Sequence, residues 1–116
     1  MGLPLILGVY LEWRRRFDDL LAVLAVSRDS ARQLNDKDNE AAALNNLGVA
    51  LRELRRFEEA VSAHQDAAAI YRETGDRQLE GIALRNIDAD RAAEDEDGGR
   101  APGPRPRHDP GHEPVL

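Results

Sequence analysis

The chain has 116 residues, enough for a single domain, and its composition is 41% hydrophobic but only 4% aromatic, so a core must be built from aliphatic side chains and alanine. Cysteine is absent, which excludes disulfides, thiolate metal sites and a cysteine nucleophile, and which fits a cytoplasmic protein. The formal net charge of −6 argues against nucleic acid as a partner, because phosphate binding needs a basic face.

The first predicted element is an apolar helix that starts near Leu3. No basic residue precedes the apolar run from Leu3 to Leu11 and no small-residue cleavage site follows it, which argues against a secretory signal. The run is also far shorter than the roughly 20 residues of a membrane-spanning helix. We therefore predict a buried helix and no membrane partner.

This apolar helix opens a sequence that recurs 40 residues later. The stretch LGVYLEWRRRFDDL at residues 7–20 is matched by LGVALRELRRFEEA at residues 47–60. A fixed period between about 20 and 50 residues is typical of stacked repeats. We predict an all-α fold, a right-handed α-solenoid of antiparallel helix hairpins with about two and a half repeats. The predicted units are residues 3–37, 38–76 and a partial 77–97.

Each unit is predicted to contain two helices joined by a tight turn. In the first unit the turn falls at WRRRF, residues 13–17, and in the second at RRF, residues 55–57. Apolar residues at helical spacing predict helices over about Asp38–Leu54 and Phe57–Thr74 in the second unit. Gly75 follows as a residue that accepts positive φ, and Asp76 as a helix cap.

Small residues are predicted where the two helices of the second unit cross. Gly48 on the first helix and Ala60 on the second let the two backbones approach, and a large side chain there would overpack the crossing. Phe57 is expected to fill the space near the turn.

These positions resemble those of a known family, the tetratricopeptide repeat. The resemblance covers about residues 5–87 and is weaker at the start, where Leu20 and Ser27 replace the expected alanines. The 40-residue period resembles the long-helix variety of the repeat, and residues 64–87 are similar to repeats of large actinobacterial proteins. The positions that match the family pattern are Gly8, Leu44, Leu47, Gly48, Leu51, Phe57, Ala60 and Ala67.

The third unit departs from this pattern. Asp88 stands where the small glycine belongs, and no second helix follows. Five of the six prolines lie in residues 98–116, which we expect to be a disordered tail. Either the last helix is a solvated cap, or the chain is a piece of a longer array. In both cases the unpartnered last helix is a candidate surface for self-association.

The resemblance implies a concave face, lined by the first helix of each unit, that binds a protein or peptide. Asn46 and Asn86 recur in register, and a primary amide can both donate to and accept from a peptide backbone. The alternative is that these asparagines only bridge neighbouring helices. The predicted groove residues are Asn45, Asn46, Val49, Arg52, Glu53, Ile82, Arg85 and Asn86.

A carboxylate clamp of the kind that some family members use is not expected. The corresponding positions carry no cation, and only one of the five fits the clamp pattern; they are Leu5, Val9, Asn46, Ile82 and Asn86. His64, on the packing stripe, is interpreted as a space-filling histidine. In the tail, Pro110 and Gly111 separate His108 from His112 and prevent the helix that a zinc motif requires.

The sequence therefore predicts a non-catalytic interaction module, without cofactor or metal, that binds a protein or peptide partner. One alternative is a sensor or regulatory fragment of a larger nucleotide-binding (NB-ARC-like) regulator with tetratricopeptide repeats. An alternative from another class is a metal-dependent hydrolase that uses the tail histidines.

Overall fold

The computed structural model describes residues 3–99, which form four α-helices joined by short turns. They are α1 (Leu3–Gln33), α2 (Lys37–Glu53), α3 (Phe57–Thr74) and α4 (Arg77–Gly99). Within residues 3–99 there is no strand, and the predicted all-α helical-repeat fold is confirmed. Gly98 and Gly99, which were expected to begin a disordered tail, belong to α4. The tail histidines lie outside the described residues.

Two of the three turns are specified by their local sequence. Asn35 and Gly75 adopt left-handed backbone conformations, with φ of 59° and 82°, and both residue types tolerate this region. The next residue in each turn caps the following helix. Asp36 accepts a hydrogen bond from the Asn39 backbone N–H at 3.2 Å, and Asp76 accepts one from the Leu79 backbone N–H at 3.0 Å.

The turn between α2 and α3 has no such local support. Arg55 adopts a left-handed conformation with φ of 64°, which costs a non-glycine residue about 1–2 kcal/mol. Arg56, at the N-cap of α3, makes no side-chain capping hydrogen bond. The buried residues Leu54 and Phe57 flank the turn. Tertiary packing therefore holds this turn.

The core lies between α2, α3 and α4, and Leu21 and Leu24 of α1 pack against its edge. It is built from leucine, alanine and a few larger side chains, as the composition predicts. Its buried members are Ala41, Leu44, Leu47, Leu51, Ala60, Ala63, Ala67, Ala68, Ile70, Tyr71 and Ala83. Neighbouring helices in the chain pack on each other, and among the four helices α1 packs only against α2.

The close crossing of α2 and α3 occurs at Gly48. A Cβ atom added to Gly48 would lie 2.4 Å from the ring of His64, a distance that real Cβ atoms do not show. The absence of a side chain at residue 48 is therefore what makes room for the histidine ring.

The first unit does not form the predicted hairpin. The turn expected at residues 13–17 is absent, because α1 continues as one helix of 31 residues. At about 1.5 Å per residue α1 is about 46 Å long, whereas the 17-residue α2 is about 26 Å long. Trp13 and Arg14 lie beside Glu53–Arg55 at the far end of α2. Residues 3–12 therefore extend beyond the helix that α1 packs against.

A physical reason for the open form lies in the residues at the expected crossing. Leu20 occupies the position that Ala60 occupies one repeat later, so the first unit carries a large side chain where the tight crossing needs a small one. A continuous helix also avoids a left-handed arginine at residue 15 and retains its main-chain hydrogen bonds.

Candidate functional site

The two helices that line the predicted concave face, α2 and α4, meet through polar side chains. Asn86 Nδ2 donates to Asn45 Oδ1 at 3.2 Å. Arg52 donates to Asp90 Oδ1 at 2.9 Å and to the carbonyl oxygen of Asn86 at 3.4 Å. These contacts hold α2 and α4 in a fixed relation, in addition to the core that they share with α3.

Asp90 also binds His64 of α3, beneath the concave face. His64 Nδ1 lies 2.6 Å from Asp90 Oδ2, and His64 Nε2 lies 3.1 Å from the carbonyl oxygen of Asn45. Both neighbours are oxygen acceptors, so a ring nitrogen that carries a proton can donate to either of them. His64, Asp90, Arg52, Asn45 and Asn86 form one connected set, which we call the polar network.

The geometry of the polar network indicates a structural role. The side chains of His64 and Asp90 are fully buried, and the second ring nitrogen of His64 is occupied by the Asn45 carbonyl. A general base must reach a substrate proton directly or through one water molecule. The histidine–aspartate pair cannot do so here, although its spacing matches that of pairs used in catalysis.

The predicted groove residues divide into two groups. Asn45, Arg52 and Asn86 belong to the polar network. Asn86 of α4 bonds to Asn45 of α2, so its observed contact bridges two helices, as the alternative interpretation proposed. The others are not in the network: Asn46, Glu53 and Arg85 are exposed, and Val49 and Ile82 are half-buried. The structure therefore separates residues that fix the helices from residues that face solvent.

Asp90 was missed by the sequence analysis, although the sequence carries an indication of it. One repeat earlier, the residues in register with His64 and Asp90 are Leu24 and Ala50. Both positions thus change from apolar to ionisable in the later repeat. Because a buried charge needs a partner, two such changes on packing stripes indicate that the two side chains meet.

Among residues 3–99, three side chains outside the polar network have a shifted pKa. The pKa of Glu59 is lowered, mainly by its hydrogen bond from Arg56 at 2.6 Å, and the pKa of Arg56 is raised by the same contact. Both side chains are largely exposed, so solvent screens the pair. The pKa of Tyr71 is raised by burial and further by the charges of Asp76 and Asp38.

Grooves border α2 on both sides. A cleft of about 240 Å³ lies between the C-terminal parts of α2 and α4, where Arg52 and Glu53 face Ala93 and Glu96. A larger groove of about 490 Å³ runs between α1 and α2, and Asn46 lies on its wall. The predicted surface thus borders a groove on each side of α2.

Neither a membrane-spanning helix nor a metal-binding cluster is found in the described part of the chain. No helix within residues 3–99 is long and apolar enough to cross a membrane. The same residues hold no group of three or more histidine or acidic side chains that could bind a metal ion.

The antiparallel packing of successive helices and the 40-residue recurrence of their contacts define an α-helical repeat protein. The ion pair Arg32–Glu40, at 3.0 Å, recurs in register as Arg72–Glu80 at 2.8 Å. A family model described as tetratricopeptide repeat matches residues 4–73, which is more than half of the chain. The chain belongs to the tetratricopeptide repeat family. Comparisons with curated proteins and with solved structures give no match.

Membership in this family makes the chain a protein-interaction repeat module in general terms. Such repeats are typically non-catalytic.

Proposed function

We propose that the chain binds a segment of a partner protein across α2 and α4, at the exposed residues that border the polar network. The observation that carries this proposal is the separation of roles on these helices. Asn45, Arg52 and Asn86 fix α2 against α4, while Glu53 and Arg85 remain exposed beside them. A surface that is ordered before binding loses less conformational entropy on association.

The chemistry of this face favours a polar, extended segment. Glu53 and Arg85 offer charges of both signs, and the cleft beside Glu53 is lined mainly by charged side chains. Stacked repeats create extended surfaces of this kind, which suit a chain segment better than a small molecule. The buried position of His64 supports a function without catalysis.

The proposal is tested by selecting binders from a random peptide library displayed on phage. Glu53→Ala with Arg85→Ala should weaken the selected peptides about tenfold, which corresponds to about 1.4 kcal/mol. The charge-matched control is Glu58→Ala with Arg77→Ala, because these two residues are also exposed but lie outside this face. Calorimetry gives the affinities, and circular dichroism checks that both variants are folded.

Equal weakening by both pairs would show that the peptides respond to overall charge. No weakening by the first pair would place binding elsewhere and contradict the proposal.

A further inference from the structure

The groove between α1 and α2 has the position of a missing helix. Its walls include Leu24, Ser27 and Ala31 from α1, and Ala43 and Asn46 from α2. The groove encloses about 490 Å³ and is open to solvent.

One repeat later the same position is filled. Adding 40 to the residue numbers of Leu24 and Ser27 gives His64 and Ala67 of α3, and both are fully buried. The same step from Ala43 and Asn46 leads to Ala83 and Asn86 of α4. The helix that packs against both α3 and α4 at this position is α2. The groove between α1 and α2 therefore lacks the counterpart of α2.

That counterpart is present in the sequence as residues 3–14, in the N-terminal half of α1. Gly8 and Leu11 match Gly48 and Leu51. In the structure nothing lies within 4 Å of a Cβ atom placed on Gly8, whereas the His64 ring covers Gly48. Leu11 is 55% exposed, whereas Leu51 is 8% exposed. Because α1 is continuous, this segment cannot reach the groove of its own chain.

We propose that residues 3–14 of a second copy pack along residues 18–29 of α1, with residues 3–8 in this groove, and that the two copies exchange these segments reciprocally. The two α1 helices would run antiparallel about a two-fold axis near Arg16. Gly8 of one copy then lies against Leu24 of the other, just as Gly48 lies against the His64 ring. The same register places Arg14 level with Asp18 of the other copy, so opposite charges meet. Such exchange of identical elements is a low-cost route to a dimer.

The bulk at Leu20 favours exchange over a closed hairpin. A tight turn forces two helices to cross closely, and Leu20 then overpacks a site where the later repeat has Ala60. Two separate chains have no such turn, and they can settle at the usual 8–10 Å between helix axes. The two Arg16 side chains approach each other near the axis. Each also pairs with Glu12 of its own helix at 3.4 Å, and this pairing offsets the repulsion between the two like charges.

The test uses the absence of cysteine from the natural chain. Leu11→Cys and Leu20→Cys are made in separate chains, which are mixed, unfolded, refolded together and oxidised in a glutathione buffer. In the exchanged dimer these positions take the places of Leu51 and Ala60, which lie in one core cluster, so a disulfide should join the two different chains. Leu11→Cys mixed with Leu84→Cys is the control, because Leu84 is as exposed as Leu20 but lies on α4.

A chain that carries both Leu11→Cys and Leu20→Cys distinguishes the other arrangements. In a continuous helix these residues are about 14 Å apart, too far for an intrachain disulfide, which needs about 7 Å or less. An intrachain disulfide would show a closed hairpin and overturn the proposal. A mass of 12.9 kDa by light scattering at every concentration, with no interchain disulfide, would also overturn it.

Two further variants locate the interface. Ser27→Arg should convert the dimer to monomer without loss of helix content, because Ser27 is exposed in the single chain but its counterpart Ala67 is buried. Leu84→Glu should leave the dimer intact. If Leu84→Glu dissociated the dimer and Ser27→Arg did not, self-association would use α4, and the exchange would be wrong.

Discussion

Residues 7–20 and residues 47–60 are nearly the same sequence in two different structures. The later copy ends α2, turns at Arg55 and begins α3, whereas the earlier copy stays within a single helix. Phe57 is buried beside its turn, whereas Phe17 contacts Trp13 along one helix face, with ring centroids 4.9 Å apart and the ring planes tilted by 55°. The residues that the two copies share therefore do not by themselves decide between turn and helix.

The difference lies in what surrounds each copy. The later copy, residues 47–60, forms the turn and is called the closed copy; the earlier one, residues 7–20, is called the open copy. The closed copy is covered by α4, whose Asp90 binds both Arg52 and His64. The open copy has α2 on one side only among the described helices. A left-handed arginine and an uncapped helix start are therefore tolerated where burial and the polar network offset their cost. The same turn has no such compensation at residue 15.

The largest expected effect comes from removing the residue that holds the closed copy. Asp90→Ala leaves His64 and Arg52 without their carboxylate, and removing one partner of a buried ion pair costs about 3–5 kcal/mol. Urea unfolding followed by circular dichroism measures the loss.

Asp97→Ala is the matched control on the same helix. Asp97 pairs with Arg55 at an exposed site, where a pair contributes at most about 1 kcal/mol. Equal losses from the two variants would show that the polar network does not hold the closed copy.

A smaller change in stability is expected when leucine replaces Gly48 or Gly8, the two glycines that the repeat places in register. Gly48→Leu should destabilise the protein by at least about 1–3 kcal/mol, because even a Cβ atom would collide with the His64 ring. Gly8→Leu should instead leave the single chain unchanged or stabilise it by up to about 1 kcal/mol, since leucine favours helix over glycine. Thermal melts of both variants in a Ser27→Arg background, which should keep the chain monomeric, provide the comparison, and similar melting temperatures would contradict the difference in packing.

The smallest change in stability is expected when glycine replaces Arg55 or Arg15, and its sign should differ between the two copies. Arg55→Gly removes the cost of a left-handed arginine and should stabilise the protein by up to about 1 kcal/mol. Arg15→Gly places glycine inside a continuous helix and should destabilise it by about 1 kcal/mol. Both are compared by urea unfolding in an Asp97→Ala background, so that the exposed ion pair does not contribute. Stabilisation by Arg15→Gly would indicate that a turn also forms there.

Much of the architecture could be predicted from the sequence because it is encoded locally. The 40-residue period, the apolar stripes and the turn residues predict α2, α3 and the start of α4. Gly75 takes the left-handed conformation predicted for it, and Asp36 and Asp76 cap the helices that follow them. Part of the candidate surface also follows from helical periodicity, since Asn45 and Asn86 lie on facing helices and meet.

The sequence by itself determined the repeat, the helices of the later units, and the small residues at their crossing. Only the tertiary structure decided that the first copy stays open, that Asp90 completes the polar network, and which predicted groove residues face solvent. The physical reason is that these outcomes depend on contacts between residues far apart in the chain. His64 and Asp90 are 26 residues apart and Arg52 and Asp90 are 38 apart. Local propensity is similar in the two copies, and the side chain at the helix crossing together with burial by a neighbouring helix decides between them.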